Sequence, residues 1–368
     1  MFIDRVIVRL VKIPLRQGFR TSFGALIEKT AVIVELRTSE GICGFGEASA
    51  ISSATYSEES VYSVFQCSQH DLAPRVLGQE IATPEQLLAL LAPIRGNPFA
   101  KSGFETAFWD LVSQRRGEPL WVSLGGVRSS IEVGDSLSIY DSVSELVDRV
   151  GERLEEGYRR IKLKIAPGWD LEPVRRVREK YPNIVLSVDA NAAYRLSDTR
   201  MFRLLDEFDL LMIEQPLRFD DFVGHATLQS RIKTPICLDE SIWSVGSTRL
   251  ALALGSCGIV NIKTGRVGGL IEGKRIHDLC AVHGLPVWMG GMFETGIGRA
   301  FNIALASLEN FSLAADMSPP LMYFESDLVE EGFELHDGLV EVPTTNGTGF
   351  TVSMSKLANY TVETVTLR

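Results

Sequence analysis

The chain has no CxxC pair, no GxGxxG or P-loop run and no GxSxG, which argues against a zinc ribbon, a nucleotide cradle and a serine-nucleophile hydrolase. Its five cysteines (Cys43, Cys67, Cys237, Cys257 and Cys280) are odd in number and widely spaced, so reduced thiols are expected rather than a disulfide framework. The five histidines show no metal-ligand spacing. Excess positive charge is also missing: the net charge is −10, and without a basic face the chain is not expected to bind nucleic acid. An anionic substrate must then be held locally, by lysines and a metal. No uninterrupted apolar run reaches membrane-spanning length, and Met1-Phe2-Ile3-Asp4 lacks the basic start of a signal peptide. A cytoplasmic protein without a membrane partner is expected.

What is present is a 368-residue chain, 45% hydrophobic and 23% charged, long enough to bury more than one core. Ile3 to Pro14 and Thr30 to Thr38 alternate Val and Ile with polar residues and predict antiparallel strands. Phe104, Ala107, Phe108 and Leu111 then follow helical spacing. From about Ile131 the pattern becomes strand, helix, strand, helix. Ser142-Val143-Ser144-Glu145 reads as a capping box opening one of those helices. Eight strand-like runs, at 133–139, 160–165, 184–188, 210–213, 235–238, 258–262, 286–289 and 313–315, predict a modified (β/α)8 barrel. We therefore expect an α/β chain: an α+β capping domain at 1–125, the barrel with its catalytic site at 126–322, and a C-terminal segment at 323–368 returning to the cap.

Polar residues recur at the ends of these runs. Ile161-Lys162-Leu163-Lys164-Ile165 is followed by Asp189, Glu214, Asp239 and Lys263, at steps of 25, 25 and 24 from Asp189 onward. A βα unit with short loops has about that length, so each residue is expected at the same height on its own strand. In a parallel barrel Ile161, Leu163 and Ile165 would pack outward and both lysines inward. Like charge and desolvation are expected to lower one lysine pKa toward that of a working base, assigned to Lys164 with Lys162 as its neighbour. Asp189, Glu214 and Asp239 converging without His or Cys suit a hard ion: Mg2+, with Mn2+ or another divalent ion as a substitute. Asn191 can contact the metal shell or substrate, or simply form an Asx turn. Lys263 would face Lys164 across the barrel mouth, a placement suited to racemisation or syn elimination beside a small-molecule carboxylate.

With these residues in order, the chain resembles the enolase superfamily, in its muconate-lactonising-enzyme-like branch. The catalytic histidine that mandelate-racemase-like members place after the seventh strand is absent from Trp288-Met289-Gly290-Gly291-Met292-Phe293-Glu294. Tyr158 to Ile165, Pro167-Gly168-Trp169-Asp170, Asp189-Ala190-Asn191 and Gly290 to Ala300 are most similar to the o-succinylbenzoate synthases and N-acylamino acid racemases of that branch. The resemblance implies dehydration of 2-succinyl-6-hydroxy-2,4-cyclohexadiene-1-carboxylate, a menaquinone-pathway step, together with racemase activity. Alternatives are racemisation as the physiological role, dipeptide epimerisation, or a noncatalytic metal-dependent binder. It further implies that Arg266 supports Lys263 without touching the metal. Capping loops would place Phe19, Phe23 and Tyr56 over the substrate, and Gly291, Met292 and Phe293 beside it. Assembly as a homo-oligomer is expected.

Overall fold

The structure is a computed structural model that describes residues 1–21 and 24–368. Phe23 lies outside the described residues. Alternating Val and Ile produce strands longer than the sequence pattern predicts. β1 (Ile3–Thr21) and β2 (Gly24–Thr38) pair antiparallel, with register slips between Ile3 and Arg5 and between Pro14 and Phe19. Pro14 lacks an N–H and disturbs the ladder locally, but β2 supplies partners on both sides of it, so β1 continues. β3 (Cys43–Ala48) joins the other edge of β2. Helix Pro98–Arg116 lies on this sheet with Phe99, Phe104, Phe108 and Leu111 buried. The approach is so close that a Cβ on Gly46 would sit 2.1 Å from the Gly103 carbonyl oxygen.

β4 (Ser130–Glu132) stands before the barrel. β5 (Asp135–Leu137), β6 (Arg160–Lys164), β7 (Val185–Asp189), β8 (Ile213–Glu214), β9 (Ile236–Leu238), β10 (Ile259–Ile262) and β11 (Val287–Met289) then form a parallel sheet in chain order. Helices connect them. In helix Val143–Glu155 the Glu145 N–H donates to Ser142 Oγ at 3.2 Å, the Ser142 half of the expected capping box, and Leu146, Val147 and Val150 are buried.

The eighth expected strand, Leu313–Ala315, does not form a ladder. Instead the Ala315 N–H donates to Glu132 O (2.8 Å), the Gly134 N–H to Ala315 O (2.9 Å) and the Asp316 N–H to Met289 O (2.9 Å). These bonds join the run to both edges of the curled sheet and close it as a modified (β/α)8 barrel. The run is short, and Pro319 and Pro320, which have no N–H, follow soon after. β12 (Leu339–Glu341) pairs with β4, and β13 (Thr361–Leu367) returns to pair antiparallel with β1, giving the cap sheet the order β13-β1-β2-β3.

Two buried cap carboxylates fasten cap to barrel at helix N-termini, where free N–H groups and the helix dipole favour negative charge. Glu105 accepts from the N–H groups of Leu270 (2.8 Å) and Ile271 (3.0 Å), at the start of helix Leu270–Val282. Glu47 accepts from Thr295 (3.1 Å) and Gly298 (3.0 Å), at the start of helix Gly296–Ala306.

Candidate active site

Lys164, Asp189 and Glu214 are Cα partners across β6, β7 and β8, so these three do share one level. The next member of the row is Cys237, whose partner on β10 is Ile259. Asp239 therefore lies two residues beyond the row and Lys263 four. Closing a sheet of tilted strands requires such a stagger, and it carries both side chains to the same rim. Lys164 and Lys263 stand four strands apart in a barrel of eight positions, on opposite sides of the mouth.

Both β6 lysines point inward and are buried. Lys162 Nζ donates to Glu214 Oε2 (2.8 Å) and reaches Asp316 Oδ2 at 2.6 Å, with the Trp288 ring 4.8 Å away. Lys164 Nζ donates to Asp189 Oδ2 (2.6 Å) and Asn191 Oδ1 (2.8 Å). Opposite, Lys263 Nζ donates to Asp239 Oδ2 (2.8 Å) and Tyr56 Oη (3.1 Å), and lies over the Tyr56 ring. Arg266 is bonded to Asp239 as well as to Tyr56 Oη, Ile242 O and Asn261 O. It therefore grips one of the three carboxylates directly while also reaching Tyr56 beside Lys263. The Asx turn here belongs to Asp189, whose Oδ1 accepts from the Asn191 N–H at 2.9 Å, while the Asn191 side chain donates to Glu240 Oε1 at 3.2 Å.

The surroundings favour the charged form of two of the lysines. Burial works against the charge of Lys162, but Asp316, Glu214 and Asp189 outweigh it and raise its pKa. Lys263 is raised too: burial opposes its charge, while Tyr56, Glu214 and Glu240 favour it. The carboxylates that favour Lys162 lie on other strands and loops and are invisible to a reading of one strand. Asp189 is held low, since Lys164 and Lys162 overcome its burial. Glu214 is pushed up by burial and by Asp189.

Lys164 and Lys263 line two small adjoining cavities of about 70 and 60 Å3. Phe19, Gly291 and Phe293 line both; Asp189 lines the first, and Tyr56, Asn191 and Met292 the second. Further lining residues escaped the sequence reading, among them the polar Asp316, Arg299 and Tyr323. Asp316 was within reach of it, because the step continues from Lys263 to Met289 and Asp316 at 26 and 27 residues. Arg299 and Tyr323 arrive from a helix and the C-terminal segment, and no spacing signals them.

The carboxylates fit a divalent cation in kind and placement. Their donors are all hard oxygens, Asp189 and Glu214 are register partners that repel each other, and the buried Glu240 Oε2 beside them has no hydrogen-bond partner among the described residues. They are not a ready-made cage: among the described residues no three acidic, His or Cys side chains converge on one point. Each carboxylate is turned instead toward a lysine or arginine, so a cation would take over oxygens that ammonium and guanidinium groups now hold.

Residues 3–125 match the mandelate racemase / muconate lactonizing enzyme N-terminal domain, and residues 145–356 match the enolase C-terminal domain-like family. The o-succinylbenzoate synthase of Geobacillus kaustophilus is 47% identical over 359 residues, 98% of this chain and 96% of that one. The N-succinylamino acid racemase of Thermus thermophilus is 45% identical over 349 residues, 95% of this chain and 94% of its own. A solved enolase superfamily member from Listeria innocua superposes with a TM-score of 0.96 at 39% identity, covering 100% of this chain and 99% of that one.

Proposed function

The chain belongs to the enolase superfamily, in its mandelate racemase and muconate lactonizing enzyme group, and from that membership we propose a metal-dependent o-succinylbenzoate synthase that also racemises N-acylamino acids. The observation that carries the reading is the pair Lys164 and Lys263, facing each other across one cavity from opposite sides of the barrel mouth. Such a pair can address both faces of a carbon beside a carboxylate. Asp189, Glu214 and Asp239 would hold Mg2+, which when bound supplies positive charge for the substrate carboxylate.

In dehydration Lys164 takes the α-proton of 2-succinyl-6-hydroxy-2,4-cyclohexadiene-1-carboxylate and returns it to the departing hydroxyl. The balance is one water lost and one aromatic ring gained. Lys263, its charge favoured by its surroundings, stabilises the negative charge that forms on the other face. Lys162, tied to Glu214 and Asp316, adds fixed positive charge below. Phe19 and Phe293, with rings 5.1 Å apart, cover the mouth and exclude water. Racemisation is the second reading: Lys164 and Lys263 exchange roles as base and acid, which the shared cavity supports.

The cap assignment of 1–125 and 323–368 is supported by β13 pairing with β1. Five free cysteines agree with a reducing cytoplasm, and among the described residues no helix is long and apolar enough to cross a membrane. A homo-oligomer is supported by Val223, Leu250 and Leu254, which are exposed on two adjacent barrel helices. The test assays both reactions with and without Mg2+. Metal-dependent turnover is expected in each, and a protein that turns over neither while folded and metal-loaded would overturn the reading.

A further inference from the structure

The loop Gly290–Thr295 carries three residues of the cavity wall, and its conformation is costly. Phe293, a bulky aromatic, has φ 53°, in the left-handed region that residues with a Cβ rarely adopt. Such a conformation persists only where the surroundings over-determine it. Its ring stands edge-on to Phe19 (5.1 Å) and Tyr323 (5.0 Å), so the backbone twist at Phe293 sets the aromatic wall of the cavity. Two side chains of the cap sheet hold the backbone on either side of Phe293, in addition to the loop's own bond from the Met292 N–H to the Glu294 carboxylate. Lys29 on β2 is 4% exposed, and its Nζ donates to the Met292 carbonyl at 3.0 Å, immediately before Phe293. Glu47 on β3 accepts from the Thr295 N–H (3.1 Å) and hydroxyl (2.6 Å), immediately beyond Glu294. Lys29 and Glu47 are themselves 3.5 Å apart as an ion pair. Glu294 lies 3.4 Å from Arg299 and, with Glu47, favours the charge of Lys29.

We propose that Lys29 is a positioning residue: through its bond to the Met292 carbonyl, and with Glu47 as its partner, the cap clamps the loop so that Phe293 stays in its left-handed conformation and shapes the part of the pocket that receives the substrate's acyl or side-chain group. Lys29 touches no reacting atom. A lysine buried this deeply, bonded to a loop carbonyl and paired with one carboxylate, costs desolvation that a packing role alone would not require. The consequence is that cap docking and pocket shape are one event, because the pair that grips the loop is built into adjacent cap strands. The loop residues at 291–293 then select substrates only in the conformation that Lys29 imposes.

This rests on the reading of the site given above, and a double-mutant cycle separates the two. Lys29→Met keeps the length of the side chain and removes the donor. It is expected to raise KM for an N-succinylamino acid about tenfold while kcat stays within about threefold, and Lys29→Arg to restore most of the loss. Phe293→Gly accepts the left-handed conformation without strain, so in that background Lys29→Met should change KM by less than about twofold. Hydrogen exchange at the amides of 291–295 gives a readout that needs no substrate: about tenfold faster in Lys29→Met, with no further change when Phe293→Gly is present. Should Lys29→Met fail to fold, Lys29→Gln is read in the same cycle. Equal effects with Phe293 or Gly at 293, or kcat falling as steeply as KM rises, would overturn the proposal. If wild-type enzyme turned over neither substrate the functional reading would fall, while the exchange measurement would still decide the role of Lys29.

Discussion

Lys164 and Lys263 differ in what surrounds them, and the difference can be tested. If they serve opposite faces of one carbon, Lys164→Ala and Lys263→Ala should each lower racemisation at least about 10^3-fold. Each variant should still exchange the α-proton of one enantiomer in deuterated water, followed by NMR; equal exchange of both enantiomers in either variant would refute the two-base assignment. Arg266 is bonded both to Asp239 and to Tyr56, which also meets Lys263. Arg266→Gln should therefore lower racemase kcat/KM more than synthase kcat/KM and also change Mg2+ affinity, measured by calorimetry, because it frees one oxygen of Asp239. Unchanged metal affinity would mean that Asp239 is not a ligand.

Among the elements, β3 and helix Pro98–Arg116 meet backbone to backbone, and two glycines make this possible. A Cβ on Gly44 would lie 2.2 Å from the Ala107 carbonyl and one on Gly46 2.5 Å from the Ala107 N–H nitrogen. Gly46→Ala is expected to cost about 1–3 kcal/mol in denaturant melts, and an unchanged midpoint would show that the helix can lift off at no cost. Where helix Leu270–Val282 begins, burial raises the Glu105 pKa to about 7 although two N–H groups and Trp109 favour its charge. The folded state then binds this proton more tightly than the unfolded state, whose carboxyl titrates near 4.5. Stability from this group is complete below about 4.5, is lost as pH rises toward 7, and the full shift amounts to roughly 3 kcal/mol. Glu59, also raised by burial to about 7 where it caps helix Pro98–Arg116, acts with the same sign. Glu105→Gln should reduce, but not abolish, the fall in unfolding free energy between pH 5 and 7; an unaltered slope would exclude Glu105 as a contributor.

For the whole molecule, the carboxylates of the site are neutralised within the chain, so folding does not wait for a metal. Exhaustive chelation should lower turnover at least about 10^3-fold while leaving the circular dichroism and a cooperative melt intact, and Mg2+ should restore activity. Unfolding on chelation would show that the ion pairs drawn by Lys162, Lys164, Lys263 and Arg266 do not sustain the metal-free state. The sequence by itself determined the barrel and the identity of its polar rim. The βα repeat sets the spacing of Lys164, Asp189, Glu214, Asp239 and Lys263, and period-two alternation sends both β6 lysines inward, because these are local rules of strand length and pleat. Tertiary structure alone decided the rest. It replaced the eighth strand by single bridges, turned each carboxylate to a cation, favoured the charge of Lys162 and Lys263, and brought Arg299 and Tyr323 to the pocket and Lys29 to the loop behind it from segments with no shared period. Charges act through space and not along the chain, so their sum at Lys162 depends on Asp189, Glu214 and Asp316, which lie 27, 52 and 154 residues on and which no local pattern brings together.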